Sequence, residues 1–130
     1  LALEKKVIFI DRVPYKDLRR YTKAADIGIQ FLENTNFNHY SASSNKLFEY
    51  IMAHVPVIGS KLPEIERVIE EEKVGLTVEE GNAGELAGAL SRLINDDELR
   101  MEFKKNTSLA KQKYNWENEK EILTGLYTKL

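Results

Sequence analysis

Within this 130-residue chain, the stretch Ser41-Ala42-Ser43-Ser44-Asn45-Lys46-Leu47-Phe48-Glu49 has the residue types and spacing to do chemistry together. The small residues at 41–44 let a ligand approach the backbone closely. A helix starting near Lys46 leaves amides without intrahelical partners in its first turn and turns the positive end of its dipole outward, and the two together favour a phosphate. Lys46 adds a full positive charge. Glu49 lies about one turn further along, within reach of a hydroxyl pair beside a bound diphosphate. The same residues also have plainer uses. Ser43 or Ser44 suits a helix N-cap, worth about 1 kcal/mol, and Lys46 suits a solvated surface. A capping-box role for Glu49 is weakened, because such a box needs Ser or Thr three residues earlier and position 46 is Lys.

Other chemistries lack their residues. There is no Gly-x-Gly-x-x-Gly or Gly-x-x-x-x-Gly-Lys phosphate loop, no Asp-x-Asp and no His-x-x-x-His. The two histidines, His39 and His54, are fifteen residues apart and no carboxylate is spaced as their metal-binding partner. No metal site and no cofactor is therefore expected, and no Ser/His/Asp order or other catalytic residue can be assigned. The chain has no cysteine, which excludes a disulfide framework and thiolate chemistry and suits an intracellular, cytoplasmic setting. A net charge of −2 argues against general nucleic-acid affinity. The charge is uneven: residues 1–25 carry a net +4 and residues 61–80 a net −4, which the simplest reading assigns to solvated helix faces. No apolar run is long enough for a transmembrane helix, and residues 1–10 have the wrong order for a signal peptide.

The elements that must position Ser41–Glu49 can be read from the hydrophobic pattern. Val7–Ile10 is a short apolar, β-branched run that reads as a buried strand. Pro14 can open a helix carrying Leu18, Tyr21 and Ala25. Ile27–Phe31 is a second strand, and residues 33–44 form a polar loop without period, of the length at which loops are often functional. A helix over Lys46–Ala53, a strand at Pro56–Gly59, a helix opened by Pro63 and a strand at Gly75–Val78 follow. Ala83, Leu86, Ala87, Leu90, Leu93 and Ile94 define a strongly amphipathic helix. Helices over Asp97–Tyr114 and Trp116–Leu130 complete the chain. Strands that lack alternation and are separated by single helices imply an α/β fold: one Rossmann-like domain over residues 1–130, with a parallel sheet of about four strands and helices on both faces. In such a sheet ligands gather beyond the carboxyl ends of the strands, which is where the loop after Phe31 delivers the Lys46 helix.

The segment Ser44-Asn45-Lys46-Leu47-Phe48-Glu49-Tyr50, followed by Pro56-Val57-Ile58, resembles the donor-site segment of family 4 glycosyltransferases (glycosyl transferases group 1). Other pieces agree in order: Val7-Ile8-Phe9 with Val13-Pro14, Ala25-Asp26-Ile27 at a helix end, Pro63-Glu64, Val74-Gly75-Leu76, and Tyr114-Asn115-Trp116-Glu117 near the close. The resemblance implies a partial C-terminal domain of the two-domain GT-B architecture, binding a nucleoside-diphosphate sugar and belonging to an enzyme that transfers the sugar with retention and without a bound metal. Glu49 matches the glutamate that holds the ribose hydroxyls, and the amides of Ser44, Asn45, Lys46 and Leu47 match the diphosphate-binding helix start. The position that would face the transferred sugar is Ser41, where the family's usual glutamate is absent. Position 54, usually Gly, is His, which suits either a left-handed helix end or a donor-site role.

The resemblance also implies two earlier strand–helix units in this domain, with a Gly-rich turn and a basic residue that clamps the phosphates, and an N-terminal acceptor-binding domain, none of which is read in this chain; in the family's sheet order the missing strands lie between Val7–Ile10 and Ile27–Phe31. The chain alone is therefore expected to bind nucleotide weakly and to be inactive. Val7–Ile10 either docks directly beside Ile27–Phe31 or pairs between chains, and the apolar face of the last helix suits a homodimer. Lys104, Lys105, Lys111 and Lys113 suit either a solvated face or weak contact of the parent enzyme with an anionic membrane. A sugar-nucleotide epimerase of the same architecture and a non-catalytic α/β interaction module are the rival readings. The module would place an acidic or hydrophobic surface where the phosphate is expected.

Overall fold

The computed structural model describes residues 3, 5–42 and 44–128. In chain order they form α1 (Tyr15–Lys23), β1 (Gly28–Gln30), α2 (Phe37–Ser41), α3 (Asn45–Ala53), β2 (Val57–Ser60), α4 (Pro63–Glu72), β3 (Gly75–Val78), α5 (Ala83–Asn95), α6 (Asp97–Lys113) and α7 (Trp116–Tyr127). The described strands pair in parallel in the order β1-β2-β3, with Gly28 opposite Val57 and Val57 opposite Gly75. This is the α/β architecture expected from strands alternating with single helices.

β2 is central and wholly buried, which is why its sequence shows no polar alternation. One face of the sheet packs against α3 and α4 through Leu47, Ile51, Val57, Ile65 and Ile69. The other packs against α5 through Ile58, Val78 and Leu93. α6 joins the two layers, since Ala110 belongs to the first cluster and Phe103 to the second. A Cβ on Gly75 would lie 1.7 Å from the Val57 carbonyl oxygen, so β3 approaches β2 only with glycine there. Pro63 sits in the first turn of α4, where its missing N–H costs nothing.

The sheet has three strands rather than about four. Val7–Ile10, expected as a buried strand, forms none, and Phe9 is 94% exposed. Nor does that run dock beside β1, which is the edge of the sheet. An apolar, β-branched run is fit for a strand, but a strand exists only where a neighbour completes its ladder of hydrogen bonds, and no described strand pairs with this one. The second correction concerns residues 33–44, which contain the short helix α2.

Candidate functional site

After β1 the chain crosses the carboxyl edge of the sheet, where side chains tether it. The Leu32 amide donates to Ser60 Oγ at 2.7 Å, and the Asn34 amide donates to a carboxylate oxygen of Glu80. Asn36 then caps α2, its Oδ1 accepting from the His39 amide at 3.0 Å. His39 Nδ1 lies 2.9 Å from Thr35 Oγ1 and 3.0 Å from the Glu33 carbonyl oxygen. These local bonds replace the missing hydrophobic period, which is why a helical turn forms where none was legible. Ser41, expected to face the transferred sugar, ends α2 with its Oγ donating to the Phe37 carbonyl at 2.9 Å.

Ser44 occupies the N-cap position of α3 with extended backbone, but its hydroxyl caps no amide. Ser43, the other N-cap candidate, lies outside the described residues. The Leu47 amide donates to the Ser44 carbonyl at 3.0 Å and the Leu47 side chain is completely buried. Of the four expected diphosphate positions, then, Leu47 anchors the helix to the core, while Asn45 and Lys46 present an exposed first turn.

The packing of Leu47 and Ile51 against the sheet fixes the rotation of α3. Asn45 and Glu49, four residues apart, consequently share one face. That face and α1 enclose a groove of about 620 Å³, lined by Asn45 and Glu49 on one wall and by Lys16 and Arg19 on the other, with Leu18, Phe48 and Met52 as its apolar part. Glu49 is exposed and lines this groove. Tyr50, beside it, lays its ring against the backbone of Gly28, where a Cβ would come within 2.6 Å of the ring. Its hydroxyl donates to the Ile29 carbonyl at 3.3 Å. Burial pushes the Tyr50 phenol above its usual range, the Ile29 bond pulls against this, and the charge of Glu49 adds to the rise.

The acids nearby are largely committed to the protein itself. Lys61 pairs with Glu79 at 2.8 Å, Glu80 holds the Asn34 amide, and Glu85 accepts from the Glu79 amide at 2.8 Å.

His54 ends α3 in the left-handed region, φ 63° and ψ 39°, as expected for a helix end. Its Nδ1 lies 2.9 Å from Ser108 Oγ of α6. It sits at the opposite end of α3 from Lys46. On α6, Lys113 is engaged by Glu72, which removes it from any cluster free to meet an anionic surface. No described group of three or more His, Cys, Asp or Glu could hold a metal ion, and no helix among the described residues is long and apolar enough to cross a membrane.

Sequence reasoning missed Lys16 and Arg19. Their spacing of three places both on one face of α1, but the basic excess of residues 1–25 reads equally well as a solvated surface. It also missed Tyr50 as the cover over Gly28, for which a glycine opening a short strand was the available signal.

Residues 1–109 match the sequence profile described as "Glycosyl transferases group 1". The whole chain is 25% identical to the D-inositol 3-phosphate glycosyltransferase of Corynebacterium urealyticum, and spans 29% of that protein's length. Among solved structures, the sucrose-phosphate synthase of Thermosynechococcus elongatus superimposes with a TM-score of 0.82 at 24% identity, over 98% of this chain and 31% of that one.

Proposed function

Because the chain belongs to the glycosyl transferases group 1 family, we propose that it is the donor-binding part of a retaining GT-B glycosyltransferase, one that moves a sugar from a nucleoside diphosphate to an acceptor hydroxyl. The observation that carries this reading is the groove between α1 and α3, in which Asn45 and Glu49 share a wall with the exposed first turn of a helix. The amides of Asn45 and Lys46, with the Lys46 ammonium, bind the diphosphate and stabilise the charge that grows on it as the sugar departs. Glu49 grips the ribose hydroxyls and orients the nucleotide rather than exchanging protons. Ser41 lies on the side of the transferred sugar. The remainder of the parent enzyme binds the acceptor, so this chain alone lacks the proximity that transfer requires.

Titration with nucleoside diphosphates tests the site. Glu49→Ala should weaken binding by about tenfold or more, the scale of a lost hydrogen bond to a charged group. Equal affinity for the wild type and the variant would remove Glu49 from the site.

A further inference from the structure

The groove has a second wall, and nothing assigned so far uses it. We propose that Lys16 and Arg19 of α1 form the cationic side of the donor site and take up phosphate charge across the groove from Glu49, an inference that rests on the donor-site reading above. α1 and α3 lead into β1 and β2, neighbouring parallel strands, so both helices begin at the carboxyl edge of the sheet and run side by side away from it. Lys16 and Arg19 therefore stand at the depth of the first turns of α3, opposite Asn45 and Glu49, in one groove of about 620 Å³. That volume lies within the roughly 300–1,000 Å³ usual for small-molecule sites.

The two walls carry opposite charge yet do not neutralise each other. Among the described residues the ion pairs are Lys61–Glu79, Arg67 with Glu64 and Glu71, Arg100–Asp97 and Lys113–Glu72, and none joins α1 to Glu49. A groove with a carboxylate on one side and two cations on the other suits a ligand that brings both hydroxyl donors and an anion. Inorganic pyrophosphate satisfies the cations but is repelled by Glu49, and a nucleoside satisfies Glu49 but leaves the cations unused. A ribonucleoside diphosphate satisfies both walls, with its pentose hydroxyls donating to Glu49 and its phosphate oxygens accepting from Lys16 and Arg19. The flexible lysine near the edge and the forked guanidinium one turn deeper would share that charge with the Lys46 end of α3.

The test is calorimetric titration of the chain with ADP, GDP, UDP, CDP and pyrophosphate at two salt concentrations. For the nucleotide bound best, Lys16→Gln/Arg19→Gln should weaken binding about tenfold or more and flatten its salt dependence. Lys16→Arg/Arg19→Lys, which keeps both charges, should restore most of the affinity and so exclude a folding defect. Glu49→Gln should weaken nucleotide binding while leaving pyrophosphate unchanged or bound more tightly. Wild-type affinity and salt dependence in the double glutamine variant, alongside weakened binding in Glu49→Ala, would overturn the role of α1 and leave the donor site standing. Absence of binding by the wild type to every nucleotide would overturn both.

Discussion

Ile51, Val57, Ile58 and Ile65 are completely buried, whereas Val7, Ile8, Phe9 and Ile10 are between 46% and 94% exposed. The two sets are alike in composition and both read as interior sequence. A similar contrast separates α4, which buries Ile65, Val68 and Ile69, from α7, which buries no residue although Trp116, Ile122, Leu123 and Leu126 are all large and apolar. Around β2 each element has a neighbour on every side; beyond β1, and along α7, it does not. Apolar character supplies the capacity for burial, and only a partner surface turns that capacity into stability. The groove between α1 and α3 lies on the border between these regions, with α3 seated in the packed half and α1, which buries none of its residues, on the open side.

The largest effect expected from this contrast is in large-to-small substitutions. Ile51→Ala removes a completely buried side chain from the cluster that seats α3 and should cost about 2–5 kcal/mol, the usual range for such a cavity. Phe9→Ala, in the open region, should change stability by about 0.5 kcal/mol or less. Denaturant midpoints of the two variants against the wild type decide the matter. A Phe9→Ala cost approaching that of Ile51→Ala would mean that Val7–Ile10 is packed in solution.

How much of this was legible in the sequence divides along the same border. β3 was placed at Gly75–Val78 with its observed bounds, α4 opens at Pro63 as expected, α5 contains every apolar position from Ala83 to Ile94, and α6 ends one residue before the expected Tyr114. In those elements local period, caps and tertiary neighbours all favour one answer. Val7–Ile10 failed because strand formation depends on a partner that no local pattern encodes. α2 was missed because its Asn36 cap and Thr35–His39 contact are hydrogen-bonded rather than hydrophobic, and so leave no period to read. Glu49 and the α3 start were singled out through their spacing on one helix and the resemblance to the glycosyltransferase donor segment. Lys16 and Arg19 were not, since what brings them to Glu49 is the packing of α1 against α3.

Gly28 probes how far the packed half extends. It opens β1, the edge strand, and a Cβ there would meet the Tyr50 ring at 2.6 Å. Tyr50 is half-buried and tied to the Ile29 carbonyl, so its ring can yield only by moving out from the edge or by carrying α3 with it. Gly28→Ala should therefore cost about 1–3 kcal/mol, as overpacking does. If α3 moves, nucleotide affinity falls with stability; if only the ring swings outward, stability falls and affinity stays. Measuring both on the same variant shows whether the groove inherits its shape from the packed half, and an unchanged melting temperature would place Tyr50 among the open residues.

The smallest effect belongs to His54, at the far end of α3. Burial lowers its pKa below the usual 6.5, and the positive charges of Lys111, Lys23, Lys104 and Arg19, drawn from α6 and α1, lower it further. In the window just below about pH 6.5 the unfolded chain therefore holds a proton that the folded chain does not. The stability tied to this difference is complete above that window and is lost as the pH falls through it. Asn tolerates the left-handed conformation at position 54 but does not titrate. His54→Asn should accordingly lose less stability than the wild type on acidification from about pH 7 to about pH 5, while above pH 7 the two differ mainly by the lost contact with Ser108. Other titrating groups are common to both chains and cancel in the comparison. The reading depends on α1 and α6 flanking α3 in solution: if α1 were detached from the packed half, Lys23 and Arg19 would leave His54 and the difference in slope would shrink. Removing the charges in Lys23→Gln/Arg19→Gln should reduce it in the same way, and parallel pH curves for the wild type and His54→Asn would show that the end of α3 is not set in that basic surround.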